Sequence, residues 1–159
     1  MKIGLTKGRY TKVDPEDFEY LNQWRWQYGA SGYAVRDEYL GKIEGKYRHR
    51  TLLMHRVLMD VPSGMDIDHI NRDKLDNRKG NLRIATRSQN RANIDPIRRL
   101  NTELPMGVTY NPSKGSKQPY MARICLGGRS YFLGNFCGLE DAARAYRLKK
   151  KQLYGEFAD

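Results

Sequence analysis

Oxygen-bearing side chains gather around a histidine in the segment MDIDHINRDKLDN, residues 65–77. Asp68 directly precedes His69, which is one of only three histidines in the chain. Carboxylate and amide oxygens are ligands that Mg²⁺ prefers, and a neutral imidazole can take a proton from water. The types and spacing of these residues therefore indicate hydrolysis assisted by a hard divalent cation.

Strand and helix signals around this segment predict that a second ligand approaches Asp68. The sequence predicts, in chain order, a strand at 66–69, a polar loop at 70–80, a strand at 81–85 and a helix that starts at Thr86 with a T-x-x-Q capping box and ends before Pro96. Asn90 lies early in that helix, where it can face the end of the first strand together with Asp68. Two oxygen ligands with open positions suit Mg²⁺, which keeps waters and takes its other ligands from a substrate phosphate.

His69, Asn81 and Asn90, with eight residues between the last two, resemble the HNH nuclease motif. The flanking residues 51–93, including LMHRVLM and DIDHINRDKLDNRKGNLRIATRSQN, are similar to the HNH endonucleases of phages and homing elements. The resemblance implies a ββα-metal fold with His69 as the general base and Asn81 as a residue that holds the loop. It also implies that Asp68 and Asn90 bind one divalent metal, expected to be Mg²⁺, with Mn²⁺ as the alternative.

Other polar residues near the motif receive lesser roles. Three arginines are candidate phosphate clamps: Arg56, Arg83 and Arg87. His55 is expected to pack at the edge of the module, with metal ligation as the weaker alternative, and His49 to face solvent or DNA. Three acids are expected to shape the loop through turns of the Asx type rather than to add ligands: Asp66, Asp73 and Asp76.

Composition narrows the class of partner. The chain has 159 residues, a net charge of +11 and a sequence pI of about 9.7, so a polyanion such as double-stranded DNA is the first partner to consider. No apolar run approaches the roughly 18 residues of a membrane span, and the start of the chain lacks the apolar stretch of a signal peptide. Cys125 and Cys137 are not paired as CxxC, so we expect free thiols, no structural zinc and a cytoplasmic location, in the host cell if a phage encodes the chain.

The N-terminal region is predicted to extend the motif into a module at residues 1–97, with the motif core at 51–95. Asp14 and Pro15 have the types that begin a helix, with Asp17 completing a capping box. WRWQY and GYAVR read as a hairpin around Gly29–Gly32. A strand is predicted at about 47–54, followed by a short helix or turn.

A second module is predicted after a polar, unperiodic linker at 98–105. GVTY, PYMARICL and RSYFLGNF read as three short strands, the last two joined at Gly127–Gly128. Residues 139–154 read as an amphipathic helix, with Gly155 just beyond its end. The overall expectation is an α+β chain: a nuclease module followed by a small three-stranded antiparallel sheet packed on one helix.

Residues 106–159 resemble the APETALA/ethylene-response-factor type of DNA-binding domain. The resemblance rests on Gly107-Val108, Ala122-Arg123-Ile124, Leu133-Gly134, Phe136, Glu140, Ala142-Ala143 and Tyr146. It implies a sheet that enters the major groove and is backed by the helix. Alternation directs one set of side chains toward the helix: Val108, Tyr110, Ala122, Ile124, Tyr131 and Leu133. It exposes another set: Thr109, Asn111, Arg123, Cys125, Ser130 and Phe132.

Candidate DNA contacts follow from that exposed face. Lys114, Lys117 and Arg129 are candidates for phosphate contacts, and Arg123 is the clear candidate for reading a base. The sequence therefore predicts a monomeric, metal-dependent HNH endonuclease of phage or homing type that hydrolyses duplex DNA without a small-molecule cofactor. Three alternatives stay open at this point: a DNA-binding regulator with a degenerate nuclease fold, an RNA-binding protein, and a C-terminal sheet that only packs on the nuclease.

Overall fold

A computed structural model describes residues 1–93, 104–112, 116–126 and 128–158. The chain divides into two compact units, Met1–Thr86 and Arg87–Asp159. Both units combine helices with small antiparallel sheets, as an α+β nuclease requires. The division into a module at 1–97, a linker at 98–105 and a module at 106–159 stays a prediction, because residues 94–103 lie outside the described part.

The first unit begins with a short strand pair and a helix that form its core. Strand β1, Lys2–Gly4, pairs antiparallel with β2, Tyr10–Lys12, and helix α1, Pro15–Asn22, follows. Burial of apolar side chains is the main stabilising contribution in a unit of this size. The buried cluster consists of Ile3, Val13, Leu21, Trp26, Ala34 and Met54.

Helix α1 starts where the sequence predicts, but its cap differs. Asp14 is the N-cap residue and Pro15 the first helical residue, which confirms the start. The expected capping box is wrong, because no side-chain hydrogen bond caps the helix. Instead, Asp14 Oδ2 accepts a hydrogen bond from the backbone N–H of Lys79 at 2.7 Å. The carboxylate therefore serves a distant loop rather than its own helix.

A three-stranded antiparallel sheet follows the first core elements, and most of its length is a two-stranded ribbon. Strand β3, Gln27–Tyr28, pairs with β4, Ala34–Ile43, across the predicted turn at residues 29–32. Strand β4 then pairs over its length with β5, Lys46–Leu53, through a turn at residues 44–45. The register shifts at Leu40, where a bulge interrupts the ladder. The sequence predicted β3 and β5 but only the first part of β4.

The strand–loop–strand order of the motif is present in the first unit. Helix α2, Met54–Leu58, leads to β6, Asp66–His69, which pairs antiparallel with β7, Leu82–Ala85. The predicted second strand began one residue too early, because Asn81 lies in a 3₁₀ turn, Lys79–Asn81. In that turn its side chain is available to the loop between the two strands.

The second unit contains the remaining helices and the three-stranded sheet. Its elements are α3, Arg87–Ala92; β8, Val108–Tyr110; β9, Tyr120–Leu126; β10, Arg129–Phe136; α4, Leu139–Tyr154; and a 3₁₀ turn, Gly155–Ala158. The sheet is antiparallel in the order β10-β9-β8. The predicted strands and both helix starts are confirmed. Gly127 of the predicted turn and Pro96 after α3 lie outside the described residues.

Packing of the sheet on α4 differs in part from the alternation. Val108, Ala122 and Ile124 are buried as predicted. Tyr110 and Tyr131 are 52% and 40% exposed, so the predicted direction toward the helix does not bury them. Their cross-strand partners are Tyr120 and Ile124, which places both tyrosines on the core face by register. They remain exposed because the buried cluster is small, being formed by Val108, Ala122, Ala142 and Ala143.

Two expectations concerned the cellular compartment: free cysteine thiols and the absence of a membrane-spanning helix. Cys125 and Cys137 are free and exposed, as the sequence predicted. Within the described ranges, no helix combines the length and apolar character needed to cross a bilayer.

Candidate active site

Asp68 and His69 lie side by side at the end of β6, and both are buried, with 4% and 5% of their surface exposed. Strand pairing sets Asp68 opposite Arg83 on β7. Arg83 Nε donates to Asp68 Oδ2 at 2.8 Å, and Arg83 Nη2 lies 2.8 Å from the same oxygen. A carboxylate removed from water needs such a partner to stay charged. The β6–β7 pair therefore places an arginine-paired carboxylate next to His69 in the chain.

Asn81 holds the loop between β6 and β7 by hydrogen bonds to two residues of that loop. Its Oδ1 accepts from the backbone N–H of Asn71 at 3.0 Å, and its Nδ2 donates to Asn71 Oδ1 at 3.0 Å. The same Nδ2 donates to the backbone carbonyl of Asp76 at 2.8 Å. These bonds use both ends of the amide, so the side chain of Asn81 fixes the loop that follows His69.

Asp76 is fully buried and anchors the loop through an ion pair with the half-exposed Arg78. Arg78 donates to its two oxygens at 2.7 and 2.6 Å, and Asn71 Nδ2 donates to Oδ2 at 2.9 Å. The hydrogen bonds from Arg78 hold the pKa of the Asp76 carboxyl below its usual range, although burial opposes that shift. Asp73 Oδ1 accepts from the backbone N–H of Leu75 at 3.1 Å. Asp73 and Asp76 thus shape the loop as the sequence predicted, whereas Asp66 lies in β6 and pairs with Arg56, so its predicted loop role is wrong.

A chain of hydrogen bonds fixes the tautomer of His69, and we call this chain the relay. The carbonyl of Leu75 can only accept, so the Thr11 hydroxyl donates to it at 2.8 Å. Thr11 Oγ1 then accepts from Asn77 Nδ2 at 2.7 Å. That orientation turns Asn77 Oδ1 toward His69 Nε2, 3.3 Å away. In the neutral imidazole Nε2 therefore carries the hydrogen, and Nδ1 carries the basic lone pair.

The relay is supported by the N-terminal strand pair. Lys12 N–H donates to the carbonyl of Leu75 at 2.8 Å, and Asn77 N–H donates to the carbonyl of Lys12 at 2.8 Å. The loop residues 75–77 thus extend along the edge of β2. Because Thr11 and Asn77 are fully or almost fully buried, water does not compete for their bonds. The N-terminal extension is therefore part of the site's framework.

Aromatic rings enclose the imidazole of His69. The ring centroid of His55 lies 5.2 Å away at an interplanar angle of 90°, and that of Tyr33 lies 5.8 Å away. Burial lowers the pKa of His69, while its hydrogen bond with Asn77 and the charge of Asp68 oppose the shift. Burial also lowers the pKa of His55 to about 3, with His69 and Arg56 adding to the effect. Both imidazoles are thus neutral at pH 7.

The predicted phosphate contacts and DNA-facing residues are distributed over both units. Arg56 lies 3.4 Å from Asp66, and both side chains are partly exposed. Arg87 is exposed at the start of α3, which also carries Asn90. The predicted residues of the sheet are exposed: Thr109, Asn111, Lys117, Arg123, Arg129 and Phe132. Lys114 lies outside the described residues. Asp68, His69 and Asn81 belong to the first unit and Asn90 to the second.

Metal binding depends on a small set of donors. Across residues 1–93, 104–112, 116–126 and 128–158, no three His, Cys, Asp or Glu side chains gather as a metal site. The expected ligands are of two kinds, a carboxylate from Asp68 and an amide from Asn90. Both are hard oxygen donors, and Mg²⁺ is commonly held by one or two such groups plus water and phosphate. The donor set therefore fits that ion chemically.

Three residues of the site were not predicted as functional: Thr11, Tyr33 and Asn77. Thr11 lies 66 residues from its partner Asn77, so no local pattern predicts that hydrogen bond. Asn77 lies eight residues after His69 in LDNR, where its type and neighbours predict only a loop residue. Its complete burial beside a histidine is the signal that distinguishes it, and only the fold provides that signal.

Comparison with known proteins places the chain in a family. A family model described as HNH endonuclease matches residues 46–92, which include β6, its loop and β7. An uncharacterised HNH endonuclease of Acanthamoeba polyphaga mimivirus is 31% identical over 156 residues, covering 98% of this chain and 76% of the viral protein. No solved structure matches. With the motif, its buried geometry and a relative aligned over nearly the full chain, this protein belongs to the HNH endonuclease family.

Proposed function

We propose that this protein is a DNA endonuclease that hydrolyses phosphodiester bonds in duplex DNA with His69 as the general base. The observation that carries the proposal is the relay from Leu75 through Thr11 and Asn77 to His69 Nε2. A histidine held in one tautomer beside a charged carboxylate is suited to accept a proton from water. Family membership supplies the class of reaction, and the net charge of +11 favours a polyanionic substrate.

The chemical step requires one proton transfer and one exchange at phosphorus. His69 Nδ1 takes a proton from a water molecule as the water oxygen bonds to phosphorus. The bond from phosphorus to the 3′-oxygen breaks, and that oxygen leaves with the electron pair and later gains a proton. His69 is then a cation, which the neighbouring Asp68 carboxylate stabilises, while Nε2 continues to donate to Asn77.

Asp68 and Asn90 are the residues that would hold a divalent cation, with Mg²⁺ expected and Mn²⁺ as the alternative. When bound, such a cation supplies positive charge to the scissile phosphate and to the leaving oxygen. Arg83 prepares Asp68 by holding its carboxylate charged in a buried position. Arg56 and Arg87 carry exposed surface that suits contacts with flanking phosphates. The ββα-metal arrangement of β6, β7 and α3 belongs to this proposal.

The C-terminal sheet is proposed to position the nuclease on duplex DNA in the manner of an APETALA/ethylene-response-factor domain. Three antiparallel strands backed by α4 support this assignment. Arg123 and Phe132 are cross-strand partners on the exposed face, where they can reach base edges. Exposed Thr109 and Asn111 extend that face along β8 and the residue after it. Lys117, Arg129 and Lys114 are the proposed phosphate contacts.

The biological setting remains part of the proposal. The relative in a giant virus supports a virus-associated enzyme that acts in the host cell. The phage or homing type, the cytoplasmic location and the monomeric state are proposed with it. Nicking is the proposed first product, because one general base serves the hydrolysis of one phosphodiester bond at a time. A double-strand cut then requires a second event on the other strand.

Conversion of supercoiled plasmid DNA tests the proposed function. The intact protein should produce nicked circles with Mg²⁺ and none with EDTA. His69→Ala should lower the rate by about 10²–10⁴, the usual contribution of a positioned base, while DNA binding is retained. A matching thermal unfolding curve would exclude misfolding of the variant. DNA binding by the intact protein without any cleavage would contradict the proposal and favour a non-catalytic regulator.

A further inference from the structure

The ribbon formed by β4 and β5 exposes side chains on both of its faces. Every residue of β5 from Lys46 to Thr51 is exposed, and large apolar side chains on the ribbon are 50–69% exposed. The buried core of the unit meets the ribbon at Ala34 and at Met54, just beyond the end of β5. A two-stranded ribbon that buries so few of its side chains is at best marginally stable in water. Its length is therefore unexplained by the packing of the unit.

The two faces of the ribbon differ in chemistry. One face carries an aromatic row in which the ring of Tyr39 lies 5.3 Å from His49 and 6.2 Å from Tyr47, with Lys42 Nζ 5.5 Å from the Tyr47 ring. The opposite face carries cations at alternate positions of β5: Lys46, Arg48 and Arg50. Alternate residues of a strand are about 6.8 Å apart, so these three side chains form a straight row. We call this row the basic face.

The basic face holds two cations that its own unit does not neutralise. Arg50 forms an ion pair with Glu38 on the adjacent strand. Lys46 and Arg48 have no acidic partner within ion-pair distance among the residues that the structure describes. Two neighbouring cations without an acid between them attract successive negative groups on a regular polymer. A duplex phosphate backbone presents such groups at high linear density.

We propose that the basic face binds the phosphate backbone of duplex DNA beside the cleavage site. The inference rests on the proposed function and extends it with a second DNA contact outside the C-terminal sheet. Strand β5 runs directly into α2, where His55 packs 5.2 Å from the ring of His69. The ribbon and the catalytic histidine thus belong to one continuous framework. A two-stranded ribbon also fits the width of a major groove, which is about 12 Å.

Salt-dependent binding by the full-length protein tests the basic face. Binding of a fluorescent DNA duplex is measured in EDTA, so that cleavage does not interfere, over about 50–200 mM salt. Each phosphate contact contributes about −0.9 to the slope of log affinity against log salt. Lys46→Gln should reduce the slope by about 0.9, and the double variant Lys46→Gln/Arg48→Gln by about 1.8. Across this fourfold change in salt, that loss corresponds to a roughly tenfold smaller fall in affinity than in the wild type.

Lys42→Gln is the matched control, because it removes the same charge from the aromatic face of the same ribbon. Its slope should equal that of the wild type. An unchanged slope in the double variant, or an equal change in Lys42→Gln and Lys46→Gln, would overturn the proposal. So would a loss that appears with duplex RNA but not with duplex DNA.

The salt-slope measurement and the plasmid-nicking test can succeed or fail independently. A reduced slope in the Lys46 and Arg48 variants supports the basic face even if plasmid is never nicked, because the measurement needs no cleavage. Nicking by the wild type together with an unchanged slope in the double variant refutes the basic face and leaves the proposed enzyme intact. Failure of the wild type to bind duplex DNA refutes the basic face as well.

Discussion

Arg83 holds Asp68 through two nitrogens, Nε and Nη2, that both lie 2.8 Å from one carboxylate oxygen. The two side chains are 13% and 5% exposed, so this is a largely buried ion pair. The β6–β7 register produces it, because Asp68 and Arg83 are direct cross-strand partners. The arginine therefore balances the charge of a candidate metal ligand from within the same sheet.

Arg83→Ala should destabilise the metal-free protein by about 3 kcal/mol, because it removes the charged partner of a buried carboxylate. Arg56→Ala is the matched control. Arg56 also pairs with an aspartate, Asp66, but that pair is 47% and 30% exposed and its atoms are 3.4 Å apart. Loss of such a surface pair should cost about 1 kcal/mol or less. Urea unfolding in EDTA measures both changes.

Divalent cation should then stabilise Arg83→Ala more than the wild type, since the cation restores positive charge beside Asp68. The readout is the shift of the unfolding midpoint on addition of Mg²⁺ or Mn²⁺. Equal shifts in the two proteins would mean that the cation does not bind at Asp68. Equal destabilisation by Arg83→Ala and Arg56→Ala would contradict the buried-pair assignment.

Thr11→Val should slow cleavage without weakening DNA binding. Valine keeps the shape of Thr11 but removes the hydroxyl that bridges Asn77 Nδ2 and the Leu75 carbonyl. Asn77 then loses the bond that orients its Oδ1 toward His69, and both imidazole tautomers become available. We expect a roughly tenfold lower single-turnover rate, a part of the 10²–10⁴ that a positioned base contributes.

Thr51→Val provides the comparison for Thr11→Val. Thr51 also donates a side-chain hydrogen bond, to Asp37 at 2.8 Å, but on the exposed ribbon. The same chemical change there should leave the cleavage rate unaltered. If Thr11→Val cleaves at the wild-type rate, the relay does not set the tautomer of His69.

Local signals made much of the fold predictable. Pro15 at the first helical position favours the start of α1, and the spacing from Leu139 to Tyr154 indicates α4, because proline and periodicity act within a few residues. The HNH spacing also identified the β6–loop–β7 order. These elements depend on neighbours in sequence, so the sequence contains what is needed to predict them.

Contacts between distant segments account for what was missed. Asp14 bonds Lys79 across 65 residues, and Thr11 bonds Leu75 across 64. Neither a propensity nor a period encodes such a pairing, since it exists only once the N-terminal strands meet the loop. The exposure of Tyr131 has the same origin, because alternation assigns a face but not the extent of the helix that covers it.

Acid should destabilise the protein through His55. Burial lowers its pKa to about 3 in the folded state, whereas the unfolded chain has the ordinary value of about 6.5. Below pH 6.5 the unfolded state binds a proton that the folded state does not. Stability is thus fully present above pH 6.5 and falls by up to about 1.4 kcal/mol per pH unit toward pH 3.

Unfolding free energies measured in EDTA between pH 7 and pH 4 test this linkage. His55→Leu removes the titrating group while keeping an apolar side chain, so its pH slope should be shallower by up to that amount. The slope is independent of any constant cost of the substitution. His49→Leu replaces an exposed histidine on the ribbon and should retain the wild-type slope. Identical slopes in all three proteins would contradict the buried, neutral state of His55.

Gly107→Ala should destabilise the second unit. Gly107 has a φ of +76°, and a Cβ there would overlap the ring of Tyr146 and lie 2.7 Å from the Arg123 carbonyl oxygen. Gly128→Ala is the matched control, since its φ is +78° but no atom lies within 4 Å of the added Cβ. Both variants carry the backbone cost of about 1 kcal/mol. Only Gly107→Ala adds overpacking of about 1–3 kcal/mol, measurable as a lower unfolding midpoint.

Arg123 and Lys117 should affect DNA recognition differently. Arg123 lies on the exposed face of β9 opposite Phe132, where it can reach base edges, while Lys117 lies in the exposed segment that precedes β9. A base contact specifies sequence and a phosphate contact only positions the protein. We expect Arg123→Ala to cost about 1–3 kcal/mol on preferred sites and little on random duplex. Lys117→Ala should weaken binding to all sequences alike and reduce the salt slope by about 0.9.

Selection of bound sites from a random duplex library measures the sequence preference, and salt titration of DNA binding measures the slope. Loss of preference in neither variant would mean that the sheet does not read sequence through Arg123.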